Sequence, residues 1–306
     1  MSPGNAAYVA ERAGGRGPNG PATQEPGVGR MSFRRRPLLV GAAAVVLVLL
    51  AAACSDEGTS EEASASPTSS TSVLAPEAEA LAGRYAHYDV VAYEGDDMKT
   101  LIISYGLTDY DVVDGELITT DRFCFSEHRS DQPISVEMSD AATQAIRPVP
   151  VAVTVTSDDD GVHLSRPATP TGIGVRLEDP ANDPLPTDPD DPRIADDDGD
   201  GKPGVTARIT VTPELTGEIY LARREIFAYE VDLQPDGSLT GTVDDHSEQL
   251  VIGASDEAFE TNAQWEQYPD PAKSPIILLP VDRDWDCERL AAERDAIFPP
   301  TPEVDW

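Results

Sequence analysis

The 306-residue chain has few of the residues that usually carry chemistry, and little positive charge. Its four histidines (His87, His128, His163 and His246) are scattered, with no pair at zinc-binding spacing. It has no Gly-x-Ser-x-Gly nucleophile elbow. Gly172-Ile173-Gly174 lies outside any strand–turn–helix frame, which excludes a phosphate loop. Lys and Arg total 22 against 56 Asp and Glu, a net charge of −34. Such a surface offers no basic patch for counterion release, which argues against nucleic acid as a partner. It also repels anionic headgroups, so membrane attachment requires a covalent or hydrophobic anchor. The longest apolar run, Pro37–Ala53, is 17 residues, short of the roughly 20 that a spanning helix needs. In a chain so acidic, a pair of carboxylates is no signal of a glycosidase.

What is present is ordered along the chain. Arg34-Arg35-Arg36 precedes that apolar run, which ends Leu50-Ala51-Ala52-Ala53-Cys54 and turns polar at Ser55-Asp56-Glu57. A positive segment, an apolar segment and small residues before a cut describe a signal peptide. Small residues directly before Cys54 resemble the lipobox of bacterial lipoproteins. That resemblance implies cleavage before Cys54, lipidation on it (palmitate among the acyl groups), and display at the cell surface on the extracytoplasmic face. Ala51 stands where the family prefers a larger aliphatic residue. Residues 1–30 are rich in Gly, Pro and Ala and lie upstream of Met31, read as the true start, so 31–53 is the signal segment. The 53 residues before Cys54 hold six Arg and two Glu, leaving 16 basic against 54 acidic residues from Cys54 onward. Residues 54–75 read as a disordered Ser/Thr/Glu/Ala tether. A short helix is expected at Pro76–Leu81.

Residues 76–306 read as one extracytoplasmic, all-β domain, an antiparallel sandwich or barrel, with a C-terminal helix at 284–298. Alternation as in Val151-Ala152-Val153-Thr154-Val155 marks strands with one wet face. The expected strands are 85–93, 99–105, 116–120, 134–138, 149–156, 162–165, 174–177, 205–211, 218–223, 226–233, 238–243, 249–253 and 276–281. Asp114-Gly115, Asp160-Gly161 and Asp236-Gly237 predict hairpin turns. A Pro- and Asp-rich stretch predicts an acidic surface loop over 178–204. Residues 255–267 read as a short helix, with Trp265 and Tyr268 in packing roles. Cys287, Leu290, Ala291, Ile297 and Phe298 share one face of the C-terminal helix. Gly83-Arg84-Tyr85 resembles the opening of lipocalin-type barrels, which implies an internal pocket for a small ligand.

With Cys54 lipidated, Cys124 and Cys287 remain. In an oxidising compartment they read as one disulfide, the alternative being two buried thiols. The sharpest local motif is Asp196-Asp197-Asp198-Gly199-Asp200-Gly201-Lys202. Asp196, Asp198 and Asp200 alternate, Gly201 permits a sharp turn, and the Lys202 carbonyl follows, an order that suits a hard cation such as Ca²⁺. The segment resembles the first half of an EF-hand loop and the loops of thrombospondin type 3 modules. It departs from an EF-hand at the twelfth position, which is Ala207, so closure falls to Asp190, Asp191 or another loop. The alternative is a solvated acidic turn. Asp-Gly-Asp-Gly-Lys-Pro-Gly also resembles uncharacterised secreted bacterial proteins, a likeness that implies no activity.

The sequence thus predicts a lipid-anchored, non-enzymatic protein whose calcium-stabilised β domain binds or supports something at the cell surface. The runners-up are a lipid-anchored hydrolase with a carboxylate site that the sequence does not locate, and a ligand-carrying barrel.

Overall fold

A computed structural model describes residues 76–95 and 98–306. The signal segment, Cys54 and the tether lie outside the described residues. The fold is mostly β, a large curled antiparallel sheet forming a half-barrel, with a short C-terminal helix.

After α1 (Pro76–Ala80), three long strands follow in a meander: β1 (Gly83–Glu94), β2 (Lys99–Val113) and β3 (Glu116–Ser130). The β2–β3 hairpin turns at Asp114-Gly115, where both residues have positive φ (53° and 84°), the backbone of a type I′ turn. Next come β4 (Ser135–Met138), α2 (Asp140–Gln144), β5 (Val151–Ala152), β6 (Thr154–Ser157) and β7 (Val162–Ile173). Beyond the acidic loop lie β8 (Val205–Thr212), β9 (Leu215–Leu233), β10 (Leu239–Asp245) and β11 (Glu248–Ala254). The last elements are β12 (Glu266–Gln267), β13 (Pro275–Val281) and α3 (Cys287–Ile297).

The strand ladder runs β4-β8-β9-β10-β13-β1-β2-β3-β5, and β7 pairs with both β6 and β9. Residues 151–157 therefore join the two margins of the curl. β5 pairs with β3 and β6 with β7, and the intervening Val153 donates its N–H to Leu117 O at 3.0 Å. The single strand expected over 149–156 is split because the segment changes partners there.

Side-chain alternation sorts β1 onto two faces. Tyr85, Val91 and Tyr93 join the interior with Tyr110, Leu117, Phe123, Phe227, Tyr229 and Val231. Ala86, Tyr88, Val90 and Ala92 join an outer core with Tyr105, Leu107, Trp285, Leu290 and Phe298. With both faces covered, β1 is buried along almost its whole length. Each fully buried aromatic or aliphatic side chain contributes roughly 1.5–3 kcal/mol.

The outer core exists because α3 covers it. Asp286 caps the helix by accepting from the Arg289 N–H. Phe298 stacks on Tyr88 at 5.3 Å, and Arg294 lies over the rings of Tyr105 and Phe125 at 5.0 and 5.2 Å. Within the helix only Leu290 is fully buried, and Ala291 is exposed. The expected five-residue apolar face is thus narrower, and Trp285 and Phe298 just outside the helix complete it. Cys124 and Cys287 form a disulfide with Cα atoms 5.4 Å apart across 163 residues of sequence.

Three further expectations change. The strands expected at 218–223 and 226–233 are one strand, because Arg223 and Glu225, which break the apolar run, pair with each other at 2.6 Å. Residues 174–177 form a single bridge, Val175 to Ile194, because Gly174 has φ +67° and gives its N–H to Asp197. Residues 255–267 are not a helix: they hold a 3₁₀ turn at Glu257–Phe259 and then β12, which pairs with the end of β1.

Candidate functional site

The acidic loop returns the chain to the start of β8, and its own backbone N–H groups shape it. Asp196 Oδ1 accepts from Gly199 N (2.7 Å) and Asp200 N (3.1 Å), and Oδ2 accepts from Gly201 N (2.9 Å). This wrapping requires positive φ at Gly199 and Gly201 (73° and 83°), where side chains are costly. Asp197 points the other way and forms a two-pronged ion pair with Arg176 while accepting from Gly174 N at 2.7 Å. Gly204 closes the turn, and a Cβ there would stand 2.2 Å from Leu221 O.

The result is a cluster of three carboxylates. Asp196, Asp198 and Asp200 each offer an oxygen within 4.8 Å of the other two, so the cluster can hold a metal ion. Asp198 Oδ2 accepts from Thr206 N at 2.9 Å, but its Oδ1 is buried with no hydrogen-bond partner. Burial raises the Asp198 pKa above the usual carboxylate value. Burial also acts on Asp200, but hydrogen bonds from the Thr206 hydroxyl and the Lys202 N–H outweigh it, and the pKa falls. The orphaned oxygen of Asp198 is the group a cation would satisfy, since a buried unpaired acceptor costs about 1–3 kcal/mol.

Other expected ligands fare differently. Lys202 is beside the cluster through its ammonium group, 3.4 Å from Asp200 and 2.5 Å from Glu218 on β9. Ala207 is 1% exposed within β8 and supplies nothing. Asp190 and Asp191 are not brought to the cluster, and Asp191 is engaged by Arg193. Lys202 thereby links Asp200 to Glu218, a carboxylate from another element.

The histidines have separate environments. His163 sits between Asp158 and Asp232 on the surface. His128 is held neutral: burial, with Arg223 and Arg129 nearby, lowers its pKa to about 4. His87 is 1% exposed, with Nδ1 2.8 Å from Thr108 Oγ1 and Nε2 2.8 Å from Asp89. Thr108 spends its one proton on Asp121 (2.7 Å), so His87 Nδ1 is the donor to Thr108. Arg166 completes the chain with a 2.8 Å bond to Asp121.

This interior polar network is not visible in the sequence. A second part of it lies nearer the barrel end. Tyr93 Oη donates to Asp245 at 2.7 Å, Ser247 gives both its N–H and its hydroxyl to Asp245, and Arg223 pairs with Glu225. Burial raises the pKa values of Asp89 and Glu225, opposed at Asp89 by His87 and at Glu225 by Arg223. The cavity among these groups measures about 20 Å³, room for one water. In the same interior the hydroxyls of Tyr110 and Tyr229 meet at 2.7 Å.

Tyr93 and Asp245 also form the floor of a larger cleft of about 620 Å³ that opens outward between β10, β12 and the loop after it. Trp265 and Tyr268 line this cleft, while Trp306 is occupied against Tyr268 at 5.2 Å. Tyr93, Asp245 and Trp265 are far apart in sequence; the pairing of β12 with β1 and the bonds of the Gln267 side chain to Asp245 N and Val243 O bring them together. Among the described residues no helix is long and apolar enough to cross a membrane. Comparison with protein-family models, curated proteins and solved structures finds no match.

Proposed function

We propose that this chain is an extracytoplasmic lipoprotein, anchored through Cys54, whose β domain is stabilised by Ca²⁺ at Asp196, Asp198 and Asp200 and serves a binding or structural role at the cell surface. The observation that carries the calcium reading is the buried, unpartnered Oδ1 of Asp198, within a cluster whose three carboxylates approach one another within 4.8 Å. Oxygen-only ligands favour a hard cation. Glu218 is bridged to Asp200 by the Lys202 ammonium, and it and the Lys202 carbonyl are the further oxygen donors this reading calls on. No helix pair flanks the loop to be opened, so the ion acts as a brace.

Extracellular modules of this kind bind Ca²⁺ near 10⁻⁴–10⁻³ M. At about 10 mM Ca²⁺, mass action then stabilises the domain by roughly 1.4–2.7 kcal/mol, a rise in melting temperature of about 3–10 °C. A melt of the full chain with Ca²⁺ and with chelator reads this directly. Asp198→Asn is expected to abolish the shift, and no shift in the unsubstituted chain would sink the calcium reading.

The anchor rests on Arg34-Arg35-Arg36, the apolar run and Ala52-Ala53-Cys54. The exported protein is expected to begin at an acylated Cys54 by mass spectrometry. Cys54→Ser is expected to abolish acylation, and an N-terminal fragment lacking lipid in the unsubstituted protein would refute the anchor.

A further inference from the structure

The outward cleft over Tyr93 and Asp245 has the size of a ligand site, since small-molecule pockets typically span about 300–1,000 Å³. Its chemistry is one-sided. Asp244, Asp245, Glu248 and Glu266 line it, and His246 is the one basic side chain among the lining residues. Glu248 is matched by Arg224 at 3.1 Å, and Asp244 has only His246, at 3.4 Å. Asp245 is different from its neighbours: it is 2% exposed and fixed by Tyr93 and Ser247. It is a preorganised negative floor, which needs no rearrangement on binding.

The walls are aromatic. Trp265 seats its ring against Gly95, where a Cβ would come within 3.0 Å of Cε3 and Cζ3. Tyr93 and Tyr268 supply two more rings, and Tyr268 already carries the Lys99 ammonium 5.5 Å from its centroid. Rings beside carboxylates in a concave site favour a cation with an apolar surface. A metal ion is not favoured, because among the described residues carboxylate oxygens converge only at Asp196, Asp198 and Asp200. The chain's charge of −34 adds a field that concentrates cations and repels anions.

We infer that this cleft binds a small organic cation of the alkylammonium class, with its charge over Asp245, Asp244 and Glu266 and its apolar part against Trp265. The ligand sits in this cleft, whose lining does not include Asp196, Asp198 or Asp200.

The test uses the full chain in chelator, with choline as the probe and 3,3-dimethyl-1-butanol as its neutral isostere. Calorimetry and the indole N–H signal of Trp265, assigned with Trp265→Phe, are the readouts. Choline is expected to bind saturably, to shift the Trp265 signal, and to bind at least tenfold more tightly than the isostere. The double variant Asp244→Asn/Glu266→Gln, whose side chains are exposed, is expected to melt as the parent does and to weaken choline at least fivefold. Asp196→Asn/Asp198→Asn is expected to bind choline as the parent does. The inference fails if the isostere matches choline within twofold, if the Asp244/Glu266 variant binds unchanged, if binding follows the acidic loop, or if choline shows no saturable binding.

Discussion

Reducing the Cys124–Cys287 disulfide is expected to cost the β domain roughly 5 kcal/mol of stability in the chain-entropy model, given the 163-residue separation. For a domain the size of residues 76–306, that lowers the melting temperature by about 10–20 °C. The loss comes mainly from freeing the unfolded chain. Cys124 is 0% exposed against Tyr105 and Leu107, and a thiol there packs as a small apolar group. What reduction adds is freedom for α3, whose cover over Tyr88 and Tyr105 then rests on Leu290, Trp285 and Phe298. Cys287→Ala should reproduce the effect of reductant, and reductant should have no further effect on that variant. A melting temperature unchanged within about 2 °C on verified reduction would show that packing alone holds the helix.

Arg166→Met is the second large effect, expected at about 3–5 kcal/mol, because it strands a buried charge. Arg166 and Asp121 are 6% and 5% exposed. The guanidinium donates to Asp121 and to the Phe227 carbonyl, and lies 5.2 Å from the Phe227 ring centroid. Without it, the Asp121 carboxylate keeps only the Thr108 hydroxyl among these contacts, inside a shell of Phe123, Phe227 and Tyr229. The same argument predicts strong non-additivity. Arg166→Met combined with Asp121→Leu removes both charges and is expected to be more stable than Arg166→Met alone. Two losses that simply add in denaturant melts would show that the pair is not coupled.

The features legible in the sequence are the local ones. Asp196, Asp198 and Asp200 lie within five residues, so one loop assembles them, and their alternation is enough to single them out. Asp114-Gly115 and Asp236-Gly237 make their hairpins from their own backbone preferences. The strand set was largely readable from alternation for the same reason. The length of β9 was not, because Arg223-Arg224-Glu225 reads as a polar break. In the fold Arg223 and Glu225 satisfy each other, and the strand continues through them. The strand expected over 149–156 is split because its partners, β3 and β7, are set by tertiary pairing. The cleft failed entirely: Tyr93, Asp244 and Trp265 belong to three separate stretches, and no local period records their meeting. Of the residues expected to close the acidic cluster, Asp191 pairs with Arg193, and among the described residues the group that comes together is Asp196, Asp198 and Asp200 alone.

The kinked 151–157 segment has a consequence for life at high local concentration. A curled sheet with two open margins presents rows of free N–H and C=O groups, and such margins recruit strands from neighbouring copies. Here β5 covers part of β3 and β6 covers part of β7, within one continuous stretch of chain. Neighbouring copies therefore find less backbone to pair with. The bend at Val153 works as a seam against aggregation, as well as a piece of the wall.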